Sequence, residues 1–244
     1  MGLKKLPLIR EGDNLADLIV TASKEEGIQL VTRDVVVIAQ KIVSKAEGRV
    51  VTLGSITPSA LAEEIAKTSG KDPRHVEAIL RESAKIVRRK DAHLIVETKH
   101  GFVCANAGVD RSNVEDQNSL TLLPIDPDKS AREIREGIRK LTGANVGVII
   151  SDTFGRAWRI GQVNVAIGLD GTPPVLDYRG QKDMFGYVLS VTQMAVADEL
   201  ASAAELVMRK SDRVPVVIIR GFDYIPTKST AKELVRPEEE DLFR

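Results

Sequence analysis

Cysteine is nearly absent from these 244 residues: Cys104 stands alone. That excludes an internal disulfide framework, and without Cys or His neighbours it cannot anchor a zinc cluster. A lone cysteine of this kind reads as a small buried hydrophobe. Net charge is missing too. Lys plus Arg and Asp plus Glu each total 35, so nothing advertises a nucleic-acid or anionic-membrane partner. No run approaches the roughly 20 apolar residues that span a bilayer, and Met1 to Arg10 carries no signal-like apolar core. The expected location is the cytoplasm. Also absent are a Gly-x-x-x-x-Gly-Lys-Ser/Thr phosphate loop, a Gly-x-Gly-x-x-Gly fingerprint, a His-Glu-x-x-His pair and a Gly-x-Ser-x-Gly elbow. The three histidines, His75, His93 and His100, show no metal-like spacing, and His75 is expected on an exposed helix face.

What is present fits a globular enzyme, since 43% hydrophobic residues can fill a core at this length. Apolar, β-branched runs at Val35 to Ala39, His93 to Val96, Phe102 to Ala105, Val146 to Ile150, Val163 to Ile167 and Val214 to Ile219 read as strands. Helices lie between them. Asp72-Pro73 predicts a start, with Val76, Ile79, Leu80 and Val87 on one face. Ser130 with Glu133 reads as a capping box, and Gly143 as the stop of the same helix. A longer helix is predicted over about Tyr187 to Arg209. The expected fold class is α+β, with mixed sheets, packed helices and two intimately joined subdomains within one domain over 1–244, dividing near 124–130.

Two strands run into acidic residues. Phe102 to Ala105 leads to Asp110, and Val146 to Ile150 leads to Asp152. Such positions, where chain leaves a sheet, commonly build ligand sites. Two converging aspartates suit a hard cation such as Mg²⁺ or Mn²⁺; the alternative is that each caps a turn. The stretch Asp152 to Gly161 adds Thr153, Arg156, Arg159, two glycines and Trp158, a set suited to anions; the alternative is a surface turn whose arginines are solvated and whose Trp158 plugs a hydrophobic gap. Lys41 and Lys45 follow the first strand and can reach phosphate oxygens as compact charges, or line the exposed side of a helical turn. Spacing does not decide between these. The charged, glycine-bearing stretch Asp177 to Asp183 reads by itself as a polar loop.

Taken together, Leu6-Pro7-Leu8-Ile9, Ile42 to Gly48, Asn106 to Val114, Asp152-Thr153-Phe154-Gly155-Arg156, Val165 to Gly168 and Ala195 to Leu200 resemble the coenzyme F420-0:L-glutamate ligases, in family order and over nearly the whole chain. The resemblance implies GTP-dependent joining of L-glutamate to coenzyme F420-0 through an acyl phosphate, with GDP and phosphate released and one or more γ-linked glutamates added. It implies that Leu6, Pro7, Leu8, Ile9, Gln40, Lys41, Lys45, Asn113, Met208 and Lys210 surround the nucleotide. Asp110, Asp152 and Thr153 would carry a pair of divalent ions, Mg²⁺ or Mn²⁺, with K⁺ as a further cation. Lys45 and Arg156 would join the two aspartates in catalysis. The family fold implied is an intertwined homodimer, here the ligase without the nitroreductase-like extension of some relatives. One departure is Met208 to Pro215, where the family's glycine-bearing contacts are replaced by Arg209, Lys210 and Arg213. Rival readings are a ligase of this fold with another carboxylate acceptor, and a catalytically silent nucleotide- or deazaflavin-binding protein.

Overall fold

A computed structural model describes residues 1–112, 116 and 118–242; Asn113 lies outside them. The chain begins with β1 (Gly2–Leu3), α1 (Leu15–Glu25), β2 (Val35–Ala39), α2 (Gln40–Ala46) and β3 (Val50–Thr52). Then come α3 (Ala60–Ser69), α4 (Pro73–Glu82), β4 (Ser83–Lys90), β5 (His93–Thr98), β6 (Val103–Ala105) and β7 (Ser119–Thr121). The last part holds α5 (Pro127–Thr142), β8 (Gly147–Arg156), β9 (Arg159–Asp170), β10 (Leu176–Asp177), β11 (Gln193–Met194), α6 (Val196–Met208) and β12 (Val216–Ile219). This is an α+β fold with mixed sheets, as the sequence implies.

The main sheet runs β1-β12-β2-β8-β9. Among the described strands only β2 and β8 pair in parallel, with Val35 opposite Gly147 and Ala39 opposite Ser151. Their residues are apolar on both faces because α1, α5 and α6 contribute to the core that covers them. Between α2 and α5 the chain builds a second core around Leu53, Ile79, Leu94, Val96 and Leu120, under the three-stranded sheet β4-β5-β6 and the pair β3-β7. Phe102 already reaches back into the main core, and the chain rejoins it at Leu123, just before α5.

Helix ends follow local chemistry, and three expectations need correction. α4 is capped by the Asp72 carboxylate, which accepts from Arg74 N–H at 2.8 Å, with Pro73 at its first position. It ends at Glu82, however, and Val87 belongs to β4. α5 is capped by Asp126, which accepts from Lys129 N–H at 2.9 Å, and not by Ser130. Pro127 can enter a first turn without wasting a donor, so the helix starts earlier than the Ser130 signature indicates, and the Ser130 hydroxyl donates to the Asp126 carbonyl. Gly143 ends it in a left-handed conformation, φ 77°. The long helix shrinks to α6: residues 176–194 instead form an exposed excursion with the short pair β10-β11. There Asp183 accepts from the N–H groups of Phe185 and Tyr187, turning the chain just where the helical spacing of Tyr187, Val191 and Met194 imitates a helix face.

The start of the parallel pair is locked by charge. Asp34, with its side chain fully buried, accepts from Arg220 through Nε and Nη2, both at 2.8 Å, and from Val31 N–H at 2.9 Å. Its carbonyl accepts from Gly147 N–H at 2.8 Å, so the pair anchors the strand register directly. Removing one partner strands a buried charge. Arg220→Met is expected to destabilise the protein by about 3 kcal/mol and lower Tm by roughly 5–10 °C. Thermal unfolding checks this, and an unchanged Tm contradicts it.

Candidate active site

Parallel strands deliver their carboxyl ends to the same edge of a sheet. With Ala39 opposite Ser151, the residues that follow β2, Gln40 and Lys41, stand beside Asp152 and Thr153. They line one cavity of about 650 Å³, which also meets Asn106, Asp110, Ser112, Asn164 and Lys210. Asp110 arrives from the second core, fastened by an antiparallel bridge to Thr121. The backbone just before it is tightly wound. Asn106, Ala107 and Gly108 are all left-handed, at φ 55°, 54° and 69°, and two consecutive non-glycine residues in that region carry strain that packing must hold.

Asp152 does not sit where the sequence places it. Instead of leaving the sheet at residue 150, β8 continues to Arg156, turns through Ala157-Trp158 and returns as β9. Beyond Ile150 the strand turns mostly polar without ceasing to be strand, although Phe154 still packs against the main core. An irregular register opens between Ile150 and Ser151: Ile150 faces Gly168, while Ser151 faces Ala166. Bulges of this kind re-aim side chains near ligand sites.

The electrostatics of the two aspartates differ. Asp110 pairs with Lys41 Nζ at 2.7 Å and accepts from Ser112 N–H at 2.8 Å. Burial works against its charge, but these donors outweigh it and hold the carboxyl below its ordinary value. Asp152 is pushed up from 3.8 to about 6, chiefly by burial, with the Asp110 charge adding to it and Thr153 N–H, Lys41 and Lys210 opposing. Both aspartates line the same cavity. Lys210 donates to the Thr153 hydroxyl at 2.6 Å, and Lys41 also donates to Ser112. Gln40 lines the cavity but is buried; its Oε1 accepts from Ser44 at 2.8 Å, while its enclosed Nε2 finds no partner among the described residues. A buried orphan donor is a ready contact for a ligand oxygen.

The donor set fits a hard cation. Asp110, Asp152 and Thr153 offer only oxygen, and Mg²⁺-type ions are commonly held by one or two carboxylates together with substrate phosphates. Among the described residues no group of three or more His, Cys, Asp or Glu would hold an ion without such help. Cys104 lines the same cavity, but burial and then Asp152 push its thiol up to about 12, so it supplies no thiolate.

Other expected residues lie apart. Lys45 occupies the last turn of α2, outside the cavity lining. Arg156 ends β8 and donates to the Ile160 carbonyl at 2.7 Å across the hairpin. Leu6 and Ile9 pack on the main core, Pro7 and Leu8 are exposed, and none of the four lines the cavity. Still, β1 runs in the direction of β2, both antiparallel to β12, so Leu6 to Ile9 leave the sheet at the same edge as Gln40. Met208 does line the cavity. Reading the sequence overlooked Gln162 and Asn164; Asn164 was visible as the one polar residue inside the run Val163 to Ile167. His75 is half-buried rather than exposed, with an enclosed Nε2.

Comparison with known proteins assigns the class first: the chain is an enzyme, a ligase. A model of the family described as F420-0:Gamma-glutamyl ligase matches residues 4–221. The chain is 49% identical over 247 residues to the coenzyme F420:L-glutamate ligase of Methanothermobacter thermautotrophicus, covering all of this chain and 98% of that protein. It is 47% identical to the protein of that name from Methanocaldococcus jannaschii, over 98% of this chain and 94% of the relative, and 45% identical to that of Archaeoglobus fulgidus, over 98% and 93%. The chain belongs to the F420-0:Gamma-glutamyl ligase family.

The raised Asp152 carboxyl has a consequence for stability. The folded protein holds this proton more tightly than the unfolded chain, so the contribution to stability falls as pH rises from about 4 to about 6. Keeping the charge above that window costs at most roughly 3 kcal/mol. Asp152→Asn is therefore expected to melt higher than the parent at pH 7.5 in chelator, by roughly 2–8 °C, with the gap closing toward pH 4. A lower Tm for the variant contradicts a strained carboxylate.

Proposed function

We propose that this protein is a cytoplasmic, GTP-dependent ligase that joins L-glutamate to coenzyme F420-0, with GDP and phosphate as products. One observation carries the reading: Asp110, bridged to β7, and Asp152 and Thr153 of β8 share a cavity with two lysines. The relatives' shared name supports the substrates. Amide formation needs an activated carboxylate. In the proposed route the γ-phosphoryl group of GTP passes to the acceptor carboxylate, GDP leaves, and the glutamate nitrogen attacks the acyl phosphate carbonyl, expelling phosphate and giving up a proton. Asp110, Asp152 and Thr153 would hold one or two divalent ions, Mg²⁺ or Mn²⁺, which neutralise phosphate charge and align the triphosphate. Lys41 and Lys210 supply further positive charge to the phosphoryl oxygens, and the Gln40 amide donates to a nucleotide oxygen. The K⁺ requirement and the roles of Lys45 and Arg156 rest on resemblance alone. Retention of Asp110, Asp152 and Thr153 in one cavity weighs against a silent binding protein.

We further infer a homodimer. The β8-β9 tip and the 176–194 excursion expose Trp158, Ile160, Phe185, Tyr187 and Val191, each by at least three quarters of its surface. Large apolar side chains exposed in clusters are costly in water unless covered. The chain is expected to elute as a dimer, and Ile160→Asp to shift it toward monomer; an unshifted dimer removes this face from the interface.

Incubation with F420-0, L-glutamate, Mn²⁺ and either GTP or ATP tests the reaction. Mass spectrometry is expected to show an added glutamyl unit with GTP, and GTP to outcompete ATP; Asp110→Asn and Asp152→Asn are expected to lose turnover by at least a hundredfold, about 3 kcal/mol. No glutamyl product, or equal use of both nucleotides, overturns the corresponding part.

A further inference from the structure

The Thr153 hydroxyl sits in a chain of polar groups whose direction is set from inside the core. The Ser151 hydroxyl, buried in the parallel pair, donates to the Ile38 carbonyl at 3.5 Å. Its proton spent, its oxygen accepts from Asn164 Nδ2 at 3.4 Å. That fixes which end of the Asn164 amide faces outward, and the carbonyl Oδ1 accepts the Thr153 hydroxyl at 2.7 Å. The only proton on Thr153 Oγ1 is thus committed to Asn164, and Lys210 donates to the same oxygen at 2.6 Å. Asn164 is 4% exposed, directly opposite Thr153 in the β8-β9 ladder, and its backbone carbonyl accepts from Ser202 at 2.8 Å. It is held from three sides.

We propose that Asn164 is a positioning residue that sets the polarity of the Thr153 hydroxyl, so that lone pairs and not the proton face the cavity. A hydroxyl can donate or accept with little intrinsic preference. For a site that must bind a hard cation, only the accepting orientation is useful, since a proton pointing inward would repel the ion and occupy its place. Groups that orient metal-binding side chains in this manner commonly affect affinity by 10- to 100-fold. The amide does this without adding charge. An aspartate at 164 would also accept from Thr153, while leucine, similar in size, would free the Thr153 proton to turn inward. This inference rests on the metal-dependent reading above, and its test uses binding rather than turnover.

The experiment measures Mn²⁺ affinity by electron paramagnetic resonance of free Mn²⁺, with GDP present, for the parent, Asn164→Leu, Asn164→Asp, Thr153→Val and the Thr153→Val/Asn164→Leu double variant. Melting curves identify folded proteins. Asn164→Leu is expected to weaken Mn²⁺ binding about tenfold, Thr153→Val at least as much, and the double variant no more than Thr153→Val alone, because Asn164 acts through that hydroxyl. Asn164→Asp is expected to bind at least as tightly as the parent, and this arm decides the matter should the leucine variants not fold. Losses that multiply in the double variant, parent-like affinity in folded Asn164→Leu, or weakened binding in Asn164→Asp overturns the proposal while the metal reading stands. A parent protein that binds no Mn²⁺ overturns both.

Discussion

The parallel pairing of Val35–Ala39 with Gly147–Ser151 is the constraint on which the site depends. Antiparallel pairing would send the two strand ends to opposite edges of the sheet. In parallel they emerge together, and Gln40-Lys41 from one meets Asp152-Thr153 from the other. The register is held at its beginning by Asp34 and Arg220 and across its length by a core apolar on both faces. A slip of one residue would turn these side chains to the other face, so the stability of the core and the geometry of the cavity are one property.

The cavity then gathers like charges and balances them with lysines. Asp110 is stabilised in its ionised form by Lys41, whereas Asp152, more deeply enclosed, keeps its proton to an unusually high pH. Two carboxylates brought together and partly desolvated are poor for folding and good for binding a cation. Functional sites tend to store strain of this kind, and the left-handed run Asn106 to Gly108 beneath Asp110 stores more. The polar chain from Ile38 through Ser151 and Asn164 to Thr153 carries the order of the core out to the cavity rim.

Much of this was legible in the sequence. Both-face apolar runs marked β2 and the inner half of β8, and the positions of Asp110 and Asp152 just past such runs pointed to one site. Other parts were hidden by physical causes. The outer half of β8 is mostly polar, so it read as a loop. The excursion over 176–194 carries apolar residues at helical spacing that face water, and the imitation produced a helix nine residues too long at its start. Asn164 was overlooked because a single polar residue in a β-branched run is read as noise until its partner across the ladder, Thr153, is known. Leu6 to Ile9 illustrate the opposite case. Nothing in their chemistry marks them, and only the direction of β1 brings them to the relevant edge.

The central claim is that Asp110 and Asp152, 42 positions apart in the chain, bind one cation–nucleotide cluster. A crystal structure of the protein with Mn²⁺ and GDP, using anomalous scattering to locate the metal, tests it most directly. The expected result is an anomalous peak in the cavity ligated by carboxylate oxygens of both residues, on one ion or on two. Manganese bound with GDP at a place that touches neither aspartate would contradict it.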